Sequence, residues 1–505
     1  MKKLAILIAA ACTLSFTACE LEMYPENKLV NEQALQTFED LQKFEVGVYA
    51  AFRANFTDGY VVGAELQSDY MNAVFGFGNN YGGLHRWDFD IEDYDIIDFW
   101  TACYYTIANV NFVLSQKDVI TYEDGEAAAA DEIFGEMYFM RAMSHYMLIE
   151  KFCGNYDAST ASKEFTGIPL MTTFDPQDLP SRATLEESYK SVLDDLSQAA
   201  TLLSGVAGAP NSSVITADAV TALQARVNLQ MHNYSEAYSK ATSLIKGGNY
   251  ALTSSAAALK SMFTYDMGSE IIFVFYQSQT ELPTQYGSQF VSDTNSNNDW
   301  FRPQYIPSQD CVDMFDDADY RKEAFFLVAA DETCEIGGNF VKTPVYLMNK
   351  YPGNPNLQTT AGVKNYRNAF KVFRIAEMYL IAAEAAANGA GNDAATYLNA
   401  LRTNRGLEAL ESVALADVKA ERAREMMFEA QRVNDLKRWN DGFSGRAPQK
   451  GQNDLGEELT IIERGSQYQE LVVNGGDYRF LWPIPSDEIY ANQNLLNQQN
   501  PGWTK

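Results

Sequence analysis

The sequence predicts a mainly α protein: a tetratricopeptide-repeat-like helical scaffold of about four helix pairs, interrupted by long loop-rich insertions. Two observations predict the pairs and a third the insertions. Val372, Ala376, Tyr379, Ala383 and Ala386 recur at alternating steps of four and three, which lays one apolar stripe along a helix. Gly389 and Gly391 interrupt it, and Ala394, Leu398, Leu401 and Arg405 begin a second helix that stops at Gly406. The same plan recurs in residues 217–230 and 234–245, where Ala222, Ala225, Ala237 and Ala241 let two helices approach and Gly247-Gly248 ends the unit. Between about 253 and 369 the texture changes to turns, aromatics and short apolar runs such as Ile271-Ile-Phe-Val-Phe275.

Residues 1–18 read as an export signal, with Lys2 and Lys3 as the charged start and Leu4 to Ala11 beginning an apolar run too short to span a bilayer. Leu14-Ser-Phe-Thr-Ala18-Cys19 places a small residue before a cysteine, as lipoprotein processing requires, so Cys19 is the lipidation candidate. Phe16 departs from the Leu or Val usual at that position, Cys12 is a poorer rival, and ordinary cleavage after Ala18 is the alternative. Residues 19–30 then form a tether in which Glu20 and Glu22 follow the anchor. A helical region, 31–252, and a C-terminal region, 253–505, are expected to make one compact body. Two further helix pairs are read in it: 38–52 with 99–114, and 127–152 with 185–203. A single pair cannot bury its apolar face, so the pairs should stack. Insertions at 69–95 and 441–478, rich in Gly, Asn and aromatics, join the central one as the places to look for function.

With 38 basic and 67 acidic residues the net charge is −29, and removing Lys2 and Lys3 takes it to −31. Such acidity argues against nucleic acid and disfavours anionic polymers unless basic groups cluster locally; a neutral ligand is the easier fit. Cys103, Cys153, Cys311 and Cys334 allow three pairings in an oxidising compartment, and their spacing selects none. With His85, His145 and His232 the only histidines and no Cys-x-x-Cys, no zinc site of the usual kind is expected.

A helix from Glu421 would stack Glu421, Glu425, Glu429 and Arg432 at steps of four, four and three, beside Arg422, Arg424 and Asp435. That pattern suits a docking ion-pair network better than acid–base catalysis, because successive turns project the carboxylates side by side rather than across a cleft. His145, in Arg141-Ala-Met-Ser-His145, has no triad partner in its helix and reads as a packed or hydrogen-bonded side chain. Gly76-Phe-Gly78-Asn-Asn-Tyr-Gly82 lacks the flanking strand and helix of a phosphate loop. It reads instead as a flexible loop in which Phe75, Phe77, Asn79, Asn80, Tyr81 and Trp87 combine flat apolar rings with amide donors and acceptors, the two needs of a sugar. For any one of these aromatics, core packing is the plain alternative. The acidic run from Asp88 through Asp90, Glu92 and Asp93 to Asp95 offers oxygens for structural calcium but lacks a calcium-loop spacing, and acidic residues also favour the start of the apolar helix that follows. No other cofactor is expected.

The last third of the chain runs Arg374-Ile-Ala-Glu377-Met-Tyr-Leu-Ile-Ala-Ala-Glu384, Tyr397-Leu-Asn-Ala-Leu-Arg402, Glu421-Arg-Ala-Arg-Glu425-Met-Met-Phe-Glu429, Arg432-Val-Asn-Asp435-Leu-Lys-Arg438-Trp439, Trp482-Pro-Ile-Pro485 and Gln499-Asn-Pro-Gly-Trp503. Six such strings in this order resemble the SusD/RagB family of surface nutrient-binding lipoproteins, and the likeness extends through the N-terminal half. The resemblance implies a SusD-like repeat scaffold without catalytic activity, lipid-anchored at the outer membrane and facing the cell exterior. It implies capture of an oligosaccharide and delivery to a SusC-like TonB-dependent transporter. By region, it adds Tyr276, Tyr286, Trp300, Phe301, Arg302 and Tyr305 of the central insertion to the ligand-binding candidates. The alternatives are a peptide-binding uptake protein of the same architecture, a secreted glycoside hydrolase with a carboxylate pair, and a purely structural repeat adaptor.

Overall fold

The structure, a computed structural model, describes residues 34–291, 300–330 and 333–503. The export signal, Cys19 and the tether lie outside the described residues. Eight helices build the scaffold: α1 (Phe38–Ala54), α2 (Tyr94–Ser115), α3 (Glu126–Phe152), α4 (Leu185–Leu202), α5 (Ala217–Gln230), α6 (Tyr234–Gly247), α7 (Ile375–Ala385) and α8 (Ala394–Asn404). Their starts are written locally. The Thr37 hydroxyl accepts the Asp40 amide at 3.2 Å while the Asp40 carboxylate accepts the Thr37 amide at 3.1 Å, and Thr184 with Glu187 repeats this reciprocal cap. Gly248, at φ 73°, ends α6 in the left-handed region that a side chain disfavours.

The four expected pairs are present: α1 packs on α2, α3 on α4, α5 on α6 and α7 on α8. Consecutive pairs touch through α2–α3, α4–α5 and α6–α7, so the stack continues across the central insertion. Ala222, Ala225, Ala237 and Ala241 are wholly buried, which fits their expected place where helices approach closely.

Short strands pair antiparallel in twos: β1 (Met71–Ala73) with β3 (Tyr305–Pro307), β2 (Ile271–Val274) with β8 (Lys371–Arg374), β4 (Phe326–Ala329) with β7 (Val345–Met348), and β5 (Cys334–Ile336) with β6 (Asn339–Val341). The β2–β8 ladder corrects the start of the apolar stripe. Val372 lies in a strand, because Phe373 faces Phe273 across the ladder, and the helix begins only at Ile375. The helix expected from Glu421 is also broken: α9 (Leu415–Glu425) ends, and α10 (Arg432–Trp439) starts after a turn in which Phe428 and Ala430 adopt φ 55° and 60°.

The ion-pair network is real and fully buried. Glu425 accepts from Arg321 at 3.1 Å, Arg374 at 2.9 Å and Arg405 at 2.8 and 2.9 Å. Glu429 accepts from Lys350 at 2.6 Å and from Arg374 at 2.5 and 2.9 Å, while Glu421 pairs with Arg321 at 2.7 Å. Burial alone would raise the Glu425 carboxyl, but Arg405 and Arg374 hold it well below the usual range. With every charge paired, these carboxylates are structural. Cys103, Cys153, Cys311 and Cys334 are buried free thiols.

The candidate binding surface

The three insertions converge. β1 brings the first onto β3 of the central one, and Val74 bridges Ile462 of the third. Beneath them Val74, Phe301, Ile306, Cys334, Val345 and Ile461 form a separate apolar core, so the loops above it rest on packed side chains. Phe301 therefore sits in this core, and the buried Tyr305 carries its hydroxyl to the Asn80 carbonyl; both support the surface from below.

The glycine-bearing loop is held at both ends. A strand does precede it, and a five-residue helix, Gly82–Arg86, follows. Two of its glycine amides are nevertheless committed, Gly76 donating to the Glu463 carboxylate at 2.8 Å and Gly78 to the Gln304 side chain, so neither is available to cradle a phosphate. Below, Arg446 donates to the Ser68 carbonyl at 2.9 Å, the His85 carbonyl at 3.0 Å and His85 Nε2 at 3.3 Å. His85 Nδ1 therefore donates to the Leu66 carbonyl, 3.0 Å away, and this neutral tautomer fits the way burial depresses its pKa. Burial among neutral acceptors also pushes the Arg446 guanidinium down to about 9.

On top lies a cluster of rings. Phe75 is 47% exposed and covers the turn of the β5–β6 hairpin, where a Cβ on Gly337 would come within 2.8 Å of its ring. From the same hairpin Phe340, 43% exposed, meets Trp300 with centroids 5.3 Å apart. Arg302 lies 4.7 Å over the Trp300 ring and is fixed there by two bonds to Glu335, at 2.7 and 2.9 Å. Exposed Asn79 and Asn80 continue the surface, the Asn79 side-chain oxygen accepting from Arg86 at 2.7 Å. Half-buried Phe77 packs on Tyr305 and Tyr468, and half-buried Tyr81 lies against Gly63.

Two candidates are corrected. Trp87 is 2% exposed, donates its ring N–H to the Gln67 carbonyl at 2.6 Å and packs edge-on to Phe480; its ring is core. Tyr286, 3% exposed, is likewise core, with its hydroxyl on the Phe56 carbonyl at 2.7 Å. Tyr276 is exposed, but its carbonyl accepts from Arg53 in a neighbourhood with Glu281 rather than with the hairpin rings. Sequence reasoning missed Phe340, Glu335 and Tyr468. Gly337-Gly338, both at positive φ, is a two-residue hairpin signal that would have exposed Phe340; nothing local marks Tyr468. In the acidic run Asp93 caps α2, and among the described residues no three His, Cys, Asp or Glu side chains converge as metal ligands would.

Comparison with known proteins follows the same outline. A family model described as "SusD family" matches residues 247–503, and one described as "Starch-binding associating with outer membrane" matches residues 21–229. SusD-like protein P38 of Formosa agariphila is 24% identical over 269 residues, 49% of this chain and 46% of that protein, so the match spans about half of the relative's length. Among solved structures, a SusD superfamily protein from Bacteroides thetaiotaomicron is similar with a TM-score of 0.76 at 24% identity, covering 92% of this chain and 100% of that one. A SusD-like carbohydrate binding protein from Bacteroides vulgatus has a TM-score of 0.76 at 19% identity, covering 93% and 100%. Surface glycan-binding protein A from Bacteroides thetaiotaomicron has a TM-score of 0.71 at 18% identity, again over 93% and 100%.

Proposed function

The chain belongs to the SusD family, and we infer that it captures oligosaccharides at the cell surface and passes them to a SusC-like TonB-dependent transporter of the outer membrane. The observation that carries this reading is the ring surface formed by exposed Phe75 and Phe340 and half-buried Trp300, with Arg302, Asn79 and Asn80 beside it. Rings take the C–H faces of sugar units, and guanidinium and amide groups take the hydroxyls. The function is binding without chemistry: the carboxylates that border the rings, Glu335 and Glu463, are each engaged, by Arg302 and by the Gly76 amide. Among the described residues no helix is long and apolar enough to cross a membrane. The lipid on Cys19 is proposed as the anchor, which needs more than one acyl chain to be stable.

The test is isothermal titration of the soluble chain, begun after Cys19, against neutral and acidic polysaccharides and peptide mixtures. Phe75→Ala and Trp300→Ala should each weaken glycan binding roughly tenfold, since a stacked ring contributes about 0.5–1.5 kcal/mol beyond its buried area. Unchanged binding in both variants, shortening of the glycan, or binding of peptides alone would each refute the reading. Co-purification with a transporter from detergent-solubilised outer membranes tests delivery, and an untethered Cys19→Ala chain should be lost from the membrane fraction.

Gly82 offers a second handle on the surface. A Cβ there would fall 2.1 Å from Asn79 Oδ1 and 2.6 Å from Arg86 Nη1, so Gly82→Ala must separate that pair. Overpacking of this kind costs about 1–3 kcal/mol. The expected result is a lowered thermal midpoint together with several-fold weaker glycan binding, read by circular dichroism and titration.

A further inference from the structure

The loop that carries Asn79 and Asn80 is held in a shape its own residues disfavour. Asn79, Tyr81 and Trp87 sit at φ 61°, 56° and 57°, in the left-handed region that side-chain-bearing residues keep where their surroundings impose it. Tyr81 and Trp87 flank the short helix Gly82–Arg86. In front, Gln304 and Tyr305 grip Gly78 and Asn80, and in the middle Arg446 holds His85. The rear limb is held by the far end of the chain. Arg479, 392 residues on, donates to the Trp87 carbonyl at 3.0 Å, with its guanidinium 5.7 Å from the Trp87 ring centroid. The next alternate residues meet the same C-terminal stretch: Phe89 lies against Trp503 with centroids 5.1 Å apart, and the Ile91 carbonyl accepts the Ser486 amide at 2.9 Å.

Arg479 is itself aimed. Asp477 accepts its Nε and Nη2 at 2.9 and 2.7 Å, and the planar fork then points Nη1 at the Trp87 carbonyl. A fixed Trp87 fixes its neighbour, because Arg86 precedes it in the chain and donates to Asn79 Oδ1 at 2.7 Å while lying 5.8 Å from the Tyr468 ring centroid. The aim of a surface amide is thus tied, through Arg86 and Trp87, to a guanidinium behind the loop. We propose that Arg479 is a positioning residue for the candidate binding surface: from behind, it holds the stretch from Asn79 to Trp87 in the shape that a ligand meets. A loop ordered beforehand spares the ligand the entropy of ordering it. The consequence for affinity rests on the sugar-capture reading, whereas the ordering of the loop does not.

The experiment is hydrogen–deuterium exchange by mass spectrometry on the soluble chain and the variants Arg479→Ala, Arg479→Lys and Asp477→Asn, with titration of maltohexaose, cellohexaose, xylohexaose and mannohexaose. The amides of Trp87 and Asp88 bond to the Leu84 and Gly83 carbonyls at 3.1 and 2.8 Å. In Arg479→Ala the peptides that contain them should exchange roughly tenfold faster, while those of α5 and α6 keep the parent rates, which separates local loosening from global unfolding. Hexasaccharide binding should weaken several-fold in the same variant. Arg479→Lys, which can reach the Trp87 carbonyl but not both Asp477 oxygens, should recover part of both losses. Asp477→Asn keeps the oxygen that accepts the Arg479 amide and removes the charge, so it should fall between parent and Arg479→Ala, and it carries the test if Arg479→Ala does not fold. Unchanged exchange at Trp87 and Asp88, faster exchange along the whole chain, or a loosened loop with undiminished hexasaccharide binding would each overturn the proposal. Local loosening in a chain whose parent binds none of the hexasaccharides supports the ordering role and counts against sugar capture.

Discussion

Arg374→Met should destabilise the protein by about 3–5 kcal/mol, the cost of leaving buried charge without its partner. Arg374 is 1% exposed and reaches three carboxylates at once: Glu270 at 2.8 Å, Glu425 at 2.9 Å, and Glu429 at 2.5 and 2.9 Å. Arg405 and Lys350 remain to hold these acids, but neither replaces the guanidinium that joins the β2–β8 ladder to the turn between α9 and α10. Urea unfolding at pH 7 measures the loss. Glu425→Gln in the Arg374→Met background should cost less than the same change in the parent, since contacting groups are not additive. Acid should act through the same network. The Glu425 pKa is depressed on folding, so its contribution is present above the unfolded value of 4.5 and is lost as pH falls toward the folded value. A loss below 1 kcal/mol, or strict additivity with Glu425→Gln, would mean that the network is slack.

How much of this was legible depends on whether the signal was local. The four helix pairs were readable because alanines at helical spacing and glycine stops act within one segment, as Ala237, Ala241 and Gly248 do in α6. The break between Glu425 and Arg432 was not, because distant residues make it. Lys350 donates to the Glu425 and Met427 carbonyls, Tyr351 to the Phe428 carbonyl, and the Glu65 carboxylate accepts the amides of Phe428 and Arg432. Those groups satisfy a helix end and a helix start that the local sequence leaves open. Val372 was misread for the same reason: its partner strand lies about a hundred residues earlier.

The binding surface was legible by region and only partly by residue. A loop rich in aromatics and glycine says that rings are available, not which way each will point. Phe75 turns out over Gly337, whereas Trp87, at φ 57°, turns in toward Phe480 and the Gln67 carbonyl. Their identities are equally aromatic; the difference is whether a hydrogen-bond acceptor and a core lie within reach.

His145→Leu should flatten the acid limb of the stability curve. His145 lies in α3, wholly buried, and among the described residues neither ring nitrogen has a hydrogen-bond partner, so of the two expected readings the structure shows the packing and not the hydrogen bond. Burial, aided by the charge of Arg141, lowers its pKa from 6.5 to about 3. Below pH 6.5 the unfolded chain binds a proton that the folded chain refuses, so stability falls with pH down to the folded pKa. At pH 5 the difference of 1.5 units from 6.5 amounts to about 2 kcal/mol. Leucine removes that slope. It also removes two unpartnered polar atoms, each of which costs about 1–3 kcal/mol when buried, so the variant should be at least as stable as the parent at pH 7.5. Glu65 and Asp95, both raised to about 7 chiefly by burial, titrate in the opposite sense, since the folded state holds their protons more tightly. They do so in both chains, and the difference between variant and parent therefore isolates His145. Urea unfolding at pH 7.5, 6.0 and 5.0 should show the gap widening by about 2 kcal/mol toward acid; parallel curves, or an imidazole that titrates near 6.5 in the folded protein, would mean that water or a rearranged helix reaches the ring.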